Sequence, residues 1–190
     1  CVISQNIISN ISNTNTTATT NIIVAGIISA NATVTTTLGT TISRNRIWGL
    51  TNSTIGTTAL TPPIVAGIAV RSGNNITTIS NNMISLGNGQ TTNTSFIGIW
   101  LNNGSTPNPT SMNVHYNSVN IEGTASAGAL PSFALLRSLY ISTTANTVTM
   151  DARNNILQNT RSGGTGQHFA ISNGFNATTV SGTGWPANAS

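Results

Sequence analysis

The stretch that decides the fold is Ile42-Ser43-Arg44-Asn45-Arg46-Ile47. A branched aliphatic, two variable residues, an asparagine, one variable residue and a second aliphatic follow one another. The pattern recurs as Ile3-Ser4-Gln5-Asn6-Ile7-Ile8, Ile79-Ser80-Asn81-Asn82-Met83-Ile84 and Val114-His115-Tyr116-Asn117-Ser118-Val119. An imperfect fifth copy is Asp151-Ala152-Arg153-Asn154-Asn155-Ile156. The asparagines fall at 6, 45, 82, 117 and 154, in steps of 39, 37, 35 and 37. Self-similarity at a period of roughly 20–50 residues is the signature of a stacked architecture.

A second motif, a small residue followed by a large aliphatic, lies between the copies. It reads Gly26-Ile27, Gly67-Ile68, Gly98-Ile99, Ala134-Leu135 and Ala170-Ile171. The motifs alternate strictly, and the spacers that vary in length are rich in Ser, Thr, Asn and Gly, as at 88–95 and 102–110. Such spacers read as loops leaving a regular stack. Asn88-Gly89, Asn103-Gly104, Asn173-Gly174 and Pro62-Pro63 read as turns. Local composition agrees: Ile, Val and Thr supply 64 of 190 residues, and branching at Cβ suits a pleated surface. No stretch keeps a helical apolar period for three turns.

The expected fold is all-β: a single parallel β-solenoid over residues 1–190, with about five coils of about 37 residues. Each coil would supply two or three short strands, paired with the next coil at about 4.8 Å, giving a rod about 24 Å long. A β-sandwich, with turns every 8–12 residues or so, is the competing architecture. Asn6, Asn45, Asn82, Asn117 and Asn154 are expected to stack as a ladder, because a side-chain amide both donates and accepts. Asparagine also tolerates the left-handed backbone of a tight corner. Ile3, Ile42, Ile79 and Val114 form one expected interior column. Ile8, Ile47, Ile84, Val119 and Ile156 form the other. Asp151 stands where the other copies have Ile or Val, which implies a local register shift with Met150 turned inward.

Charged residues make up 4% of the chain, against about 25% in an ordinary globular domain. There are six arginines, no lysine and two acids, while Thr, Asn and Ser number 33, 27 and 21. That excludes a highly charged disordered tail, a lysine-rich nucleic-acid binder and a coiled coil. The pI of about 10.8 reflects a net charge of only +4. Phosphate binding needs clustered cations, and Arg44, Arg46, Arg71, Arg137, Arg153 and Arg161 are scattered, so no nucleic-acid partner is expected. The longest apolar run, 22–28, is far shorter than the roughly 20 residues of a membrane-spanning helix. Cys1 has no second cysteine to pair with.

The same poverty of charge bears on catalysis. Glycoside hydrolysis ordinarily takes two carboxylates at a defined separation, and the chain has only Glu122 and Asp151. His115 and Asp151 sit in neighbouring coils at adjacent offsets and are placed to pair. His168 reads as a surface residue at a strand start. No catalytic residue, metal ligand or cofactor is expected. The candidate binding surface is the outer side of the small-aliphatic strands. With Ile27, Ile68, Ile99, Leu135 and Ile171 pointing inward, Ile28, Trp100 and Leu136 point out, beside a smooth column of Gly26, Gly67 and Gly98. That face would dock a flat polymer or another copy of the chain, with Trp100 stacking on a sugar. The competing reading is that a loop folds over it. Threonines at 35–37 and 77–78 invite an ice-binding reading, but Thr does not recur at one offset in every coil.

Four segments carry a family resemblance: TISRNRIWGL at 41–50, VAGIAV at 65–70, VHYNSVNIEG at 114–123 and RNNILQNTRSGGTGQHFAI at 153–171. They resemble the right-handed parallel β-helix repeat proteins secreted by Bacteroidetes-type bacteria, many of which look like cargo of the type IX secretion route. The resemblance covers nearly the whole chain. It implies a right-handed β-helix and an extracellular or cell-surface address. It says little about activity, because such repeats serve in lyases, adhesins and structural proteins alike. Relatives of this kind are usually longer and end in a sorting domain that is not visible here. Residues 1–190 are therefore expected to be a fragment or processed part of a longer chain. The expected role is a non-catalytic structural or adhesive element whose partner is itself, end to end or laterally, or a surface polysaccharide. The alternative is a carbohydrate-binding or polysaccharide-active module.

Overall fold

The computed structural model describes residues 1–16, 22–30, 38–54, 63–71, 75–102, 111–137 and 149–173. Residues 35–37, Pro62, the Asn103-Gly104 pair and Gly174 lie outside them. Three long sheets, each of five parallel strands, wrap around one interior. The first sheet holds Val2–Ser4, Leu38–Ser43, Asn75–Ser80, Ser111–His115 and Thr149–Arg153. The second holds Ile7–Ser9, Arg46–Trp48, Met83–Leu86, Ser118–Ile121 and Ile156–Asn159. The third holds Ile23–Ala30, Ile64–Arg71, Ser95–Asn102, Ser132–Arg137 and His168–Asn173. Each sheet thus takes one strand from each motif-bearing segment, and the fold is a parallel β-solenoid. Ser12–Asn13 pairs with Thr51–Asn52, and Thr124–Ala125 with Ser162–Gly163, as short two-stranded pieces between the second and third sheets. No helix of the described residues is long and apolar enough to cross a membrane.

The chain turns from the first sheet into the second in two residues. The first of them is left-handed in every rung: Gln5, Arg44, Asn81, Tyr116 and Asn154 have φ between 55° and 61°. The second is the ladder asparagine. The Nδ2 groups of Asn6, Asn45 and Asn82 donate to Oδ1 of Asn45, Asn82 and Asn117 at 2.9 Å. The backbone N–H groups of the same three donors reach those oxygens at 3.0–3.1 Å. From Asn45 onward each amide also donates back to the preceding rung, as Asn82 Nδ2 does to the Ile42 carbonyl at 3.0 Å. Asn45, Asn82 and Asn117 are buried, and a buried amide with its donors and acceptor matched stabilises rather than costs.

In the fifth rung Met150 turns inward as expected, but the ladder residue differs. Asn155, not Asn154, accepts from Asn117, at 2.9 Å from the backbone nitrogen and 3.0 Å from Nδ2. Asn154 is the left-handed corner residue. The strands agree: Ala152 is in register with Val114, and Leu157, not Ile156, with Val119. Ile156 is 67% exposed. Asp151 stands opposite Asn113 on the outside, while Met150 is paired with Met112 and packs against the core. A one-residue slip turns every side chain of a strand to the other face. Here the interior residues Met150 and Leu157 fix the register, and Ala152 is simply small where the other rungs have Ile or Val.

The three middle strands of the third sheet are buried on both faces. Val65, Ile68 and Val70 belong to the interior cluster, whereas Ile64, Ala66 and Ala69 belong to a second, outer one with Ile97, Trp100, Phe133 and Leu136. Trp100 is 3% exposed and Leu136 is fully buried. Continuous apolar runs such as IVAGIAV are what a parallel sheet covered on both sides requires. The glycines do not form an outer column either. A Cβ on Gly67 would lie 2.6 Å from Ile84 Cγ2 and 2.6 Å from the Gly98 carbonyl oxygen. Gly26 and Gly98 meet Ile47 and Val119 in the same way. Register pairing skips the Gly67 level in both neighbours, so Gly67 and Ile68 both face inward. The strand kinks there and its backbone closes onto the second sheet.

Candidate functional site

The outer face of the second sheet lines an open groove. One residue after the ladder asparagine points out, the next points in, and the third points out again. The first outward column is Ile7, Arg46, Met83, Ser118 and Ile156, in register. The second is Ser9, Trp48, Ser85, Asn120 and Gln158. The inward residues between them anchor the floor in the core. Ile7, Trp48, Met83 and Ile156 are among the exposed large apolar residues, at 36–67%. Both columns from Arg46 to Gln158 line a groove of about 680 Å³.

The Asn88-Gly89 turn forms part of the groove wall. It is closed by the Gln90 N–H donating to the Gly87 carbonyl at 2.9 Å, with Gly87 and Gly89 at φ 85° and 69°. Among the described residues that line the groove the only ionised side chain is Arg46, whose guanidinium lies 5.5 Å from the Trp48 ring centre. The side chains of Ser85, Asn120 and Gln158 take no hydrogen-bond partner among the described residues. They differ in this from the ladder amides, which are all paired.

Of the candidate surface residues read from sequence, only Ile28 is exposed, at 48%. Trp100, Leu136, Gly67 and Gly98 are buried and Gly26 is half-buried, so these six do not form an open surface. The tryptophan that does reach a groove is Trp48. Its signal lay in Arg46-Ile47-Trp48, where the fixed inward position of Ile47 forces both neighbours outward.

The His115 and Asp151 pair does come together, at 3.5 Å between Nε2 and Oδ2, on the outside of the first sheet. The stronger partner of Asp151 is Arg153, which donates from Nε and Nη2 at 2.6 Å each. Those bonds hold the carboxyl below its usual pKa, which makes it a poor proton acceptor. His168 is not a simple surface residue. Its Nδ1 lies 2.9 Å from Ser132 Oγ, and Nε2 is buried without a hydrogen bond. Burial, followed by the charge of Arg161, lowers its pKa, against an opposing contribution from the Gly163 backbone. Among the described residues no three His, Cys, Asp or Glu side chains are grouped to hold a metal ion.

Sequence reasoning did not single out Arg161 or Asn52. Arg161 is 4% exposed; it donates to the carbonyls of Thr92 at 2.9 Å and Gln90 at 3.2 Å and lies 4.4 Å from the Phe96 ring centre. It ties the loops of three rungs together, with burial lowering its pKa. Asn52 accepts from Asn13 at 2.8 Å and donates to the Ile22 carbonyl at 3.0 Å, making a second, shorter ladder at the next corner. No family model matches the chain, no curated protein matches it, and no solved structure matches it.

Proposed function

We propose that the chain is a non-catalytic, extracellular β-solenoid that serves as a structural or adhesive element of a surface. The observation that carries this reading is the uncharged ladder running through every rung, from Asn6 to Asn155. It makes a stiff stack from a chain with two carboxylates, one of which, Asp151, is held by Arg153. The extracellular address and a kinship with secreted Bacteroidetes-type repeats rest on the sequence resemblance. Association with further copies, end to end or side by side, belongs to the same reading, since parallel sheets end in strand edges able to pair.

The test is made on purified protein. Electron micrographs are expected to show length-distributed assemblies or protein adsorbed to glycan-coated surfaces, with no new reducing ends released from polysaccharide substrates. A monodisperse monomer that cleaves such a polymer overturns the reading. The open groove favours a second reading, a carbohydrate-binding module, over a polysaccharide-cleaving one.

A further inference from the structure

We propose that the outer face of the second sheet binds an extended, neutral glycan strand running along the stacking axis. The inference rests on the non-catalytic adhesive reading and assigns it a site. Trp48, Ser85, Asn120 and Gln158 stand in one line, each in register with the next. At about 4.8 Å per rung the line spans about 14 Å. It offers an indole at one end and three free side-chain polar groups along its length.

Serine hydroxyls and side-chain amides both donate and accept, as sugar hydroxyls do. They match a partner that repeats hydroxyls along its chain better than one that presents only acceptors or only charges. Indole has an apolar face suited to the C–H face of a sugar ring and an N–H for its edge. The parallel column adds apolar contact from Met83 and Ile156, which are 56% and 67% exposed.

Charge argues against the other polymers. Arg46 is the sole ionised group among the described residues of the groove and is already stacked on Trp48. Nucleic acid would need several phosphate-neutralising cations, and an acidic glycan would meet one. A peptide strand binds to a sheet through a free edge, whereas this is a face, with its backbone already paired on both sides in the middle rungs.

The experiment titrates the protein with cellohexaose, xylohexaose and mannohexaose, with hexagalacturonate as the acidic contrast, by calorimetry. At least one neutral hexasaccharide is expected to bind, with affinity lost about tenfold or more in Trp48→Ala and also reduced in Asn120→Ala. Trp48→Phe is expected to retain most of it, and Ile28→Ala, on the third sheet, to leave it unchanged. Thermal melts of each variant separate lost binding from lost folding. The proposal is overturned if no neutral hexasaccharide binds below about 10 mM, if hexagalacturonate is preferred, or if folded Trp48→Ala binds as well as the parent. Absence of binding leaves the structural reading standing. Release of new reducing ends overturns the non-catalytic reading and leaves the groove.

Discussion

Asn82 shows what a single residue contributes. Its Oδ1 accepts from the backbone N–H and Nδ2 of Asn45, and its Nδ2 donates to Asn117 Oδ1 and the Ile42 carbonyl. Truncation removes all four bonds; Asn45 Nδ2 keeps the Ile3 carbonyl and Asn117 Oδ1 keeps the Asn82 backbone N–H, but the buried Asn45 N–H loses its acceptor, at a cost of about 1–3 kcal/mol. Asn82→Ala is therefore expected to destabilise by about 3 kcal/mol in denaturant melts. Asn6→Ala, at an exposed end rung, is expected to cost about 1 kcal/mol. Equal losses at the two sites would mean that the ladder is not the source of the stability. The residue before each ladder asparagine explains why sequence misplaced the last rung. Asn81-Asn82 and Asn154-Asn155 are both corner-then-ladder pairs. In the fifth copy, Ala152 replaces the aliphatic that marks the start of the motif elsewhere, and the exposed Ile156 imitates the inward residue.

At the scale of the strand, register and kink make separate claims. Leu157 is half-buried against the core while Ile156 is exposed. Leu157→Ala should therefore cost about 1–2 kcal/mol by lost burial, and Ile156→Ser should stay within about 0.5 kcal/mol. The reverse order in urea melts would restore the register expected from sequence. In the third sheet, a Cβ on Gly98 would meet Val119 Cγ1 and the Ala134 carbonyl. Gly98→Ala is expected to destabilise by about 1–3 kcal/mol through overpacking; a neutral effect in the same melts would mean that the strand does not close so tightly there. The small-aliphatic motif was legible in sequence as a recurring strand. Its direction was not: strict alternation sends glycine outward, and only the kink, with two consecutive inward residues, puts it against the second sheet.

The whole molecule has few groups that titrate, so its response to pH is simple. Burial lowers the pKa of His168. Its folded pKa lies below the unfolded value, so the unfolded chain binds the extra proton as pH falls. Stability is full above about pH 6.5 and declines below it until the folded pKa is passed. Asp151 has the opposite chemistry and the same sign. Its folded pKa is depressed by Arg153, so its contribution is present above the ordinary carboxylate pKa and is lost in stronger acid. Thermal melts carried from pH 8 into acid should show one decline that begins near pH 6.5 and is removed by His168→Gln, and a second that begins near the ordinary carboxylate pKa of about 3.9. A single acid step that survives that substitution would locate the sensitivity elsewhere.

By itself the sequence determined the class of fold, the repeat, four of the five ladder positions and the interior columns through the fourth rung. It could do so because a solenoid asks the same local question in each coil, and recurrence answers it without long-range information. Its scarcity of charge, with two acids, two histidines and six arginines, was likewise legible from composition alone. Only the tertiary structure decided that Asn155 and Leu157 take the ladder and inward places of the fifth rung, the burial of Trp100 and Leu136, and the opening of the groove at Trp48. Those are settled by contacts between distant segments: Arg161 reaches the Gln90 carbonyl 71 residues away, and the outer face of the third sheet is withdrawn from solvent in its three middle strands. Periodicity tells which residues share a face. Whether that face meets water depends on what packs against it, and no local pattern carries that.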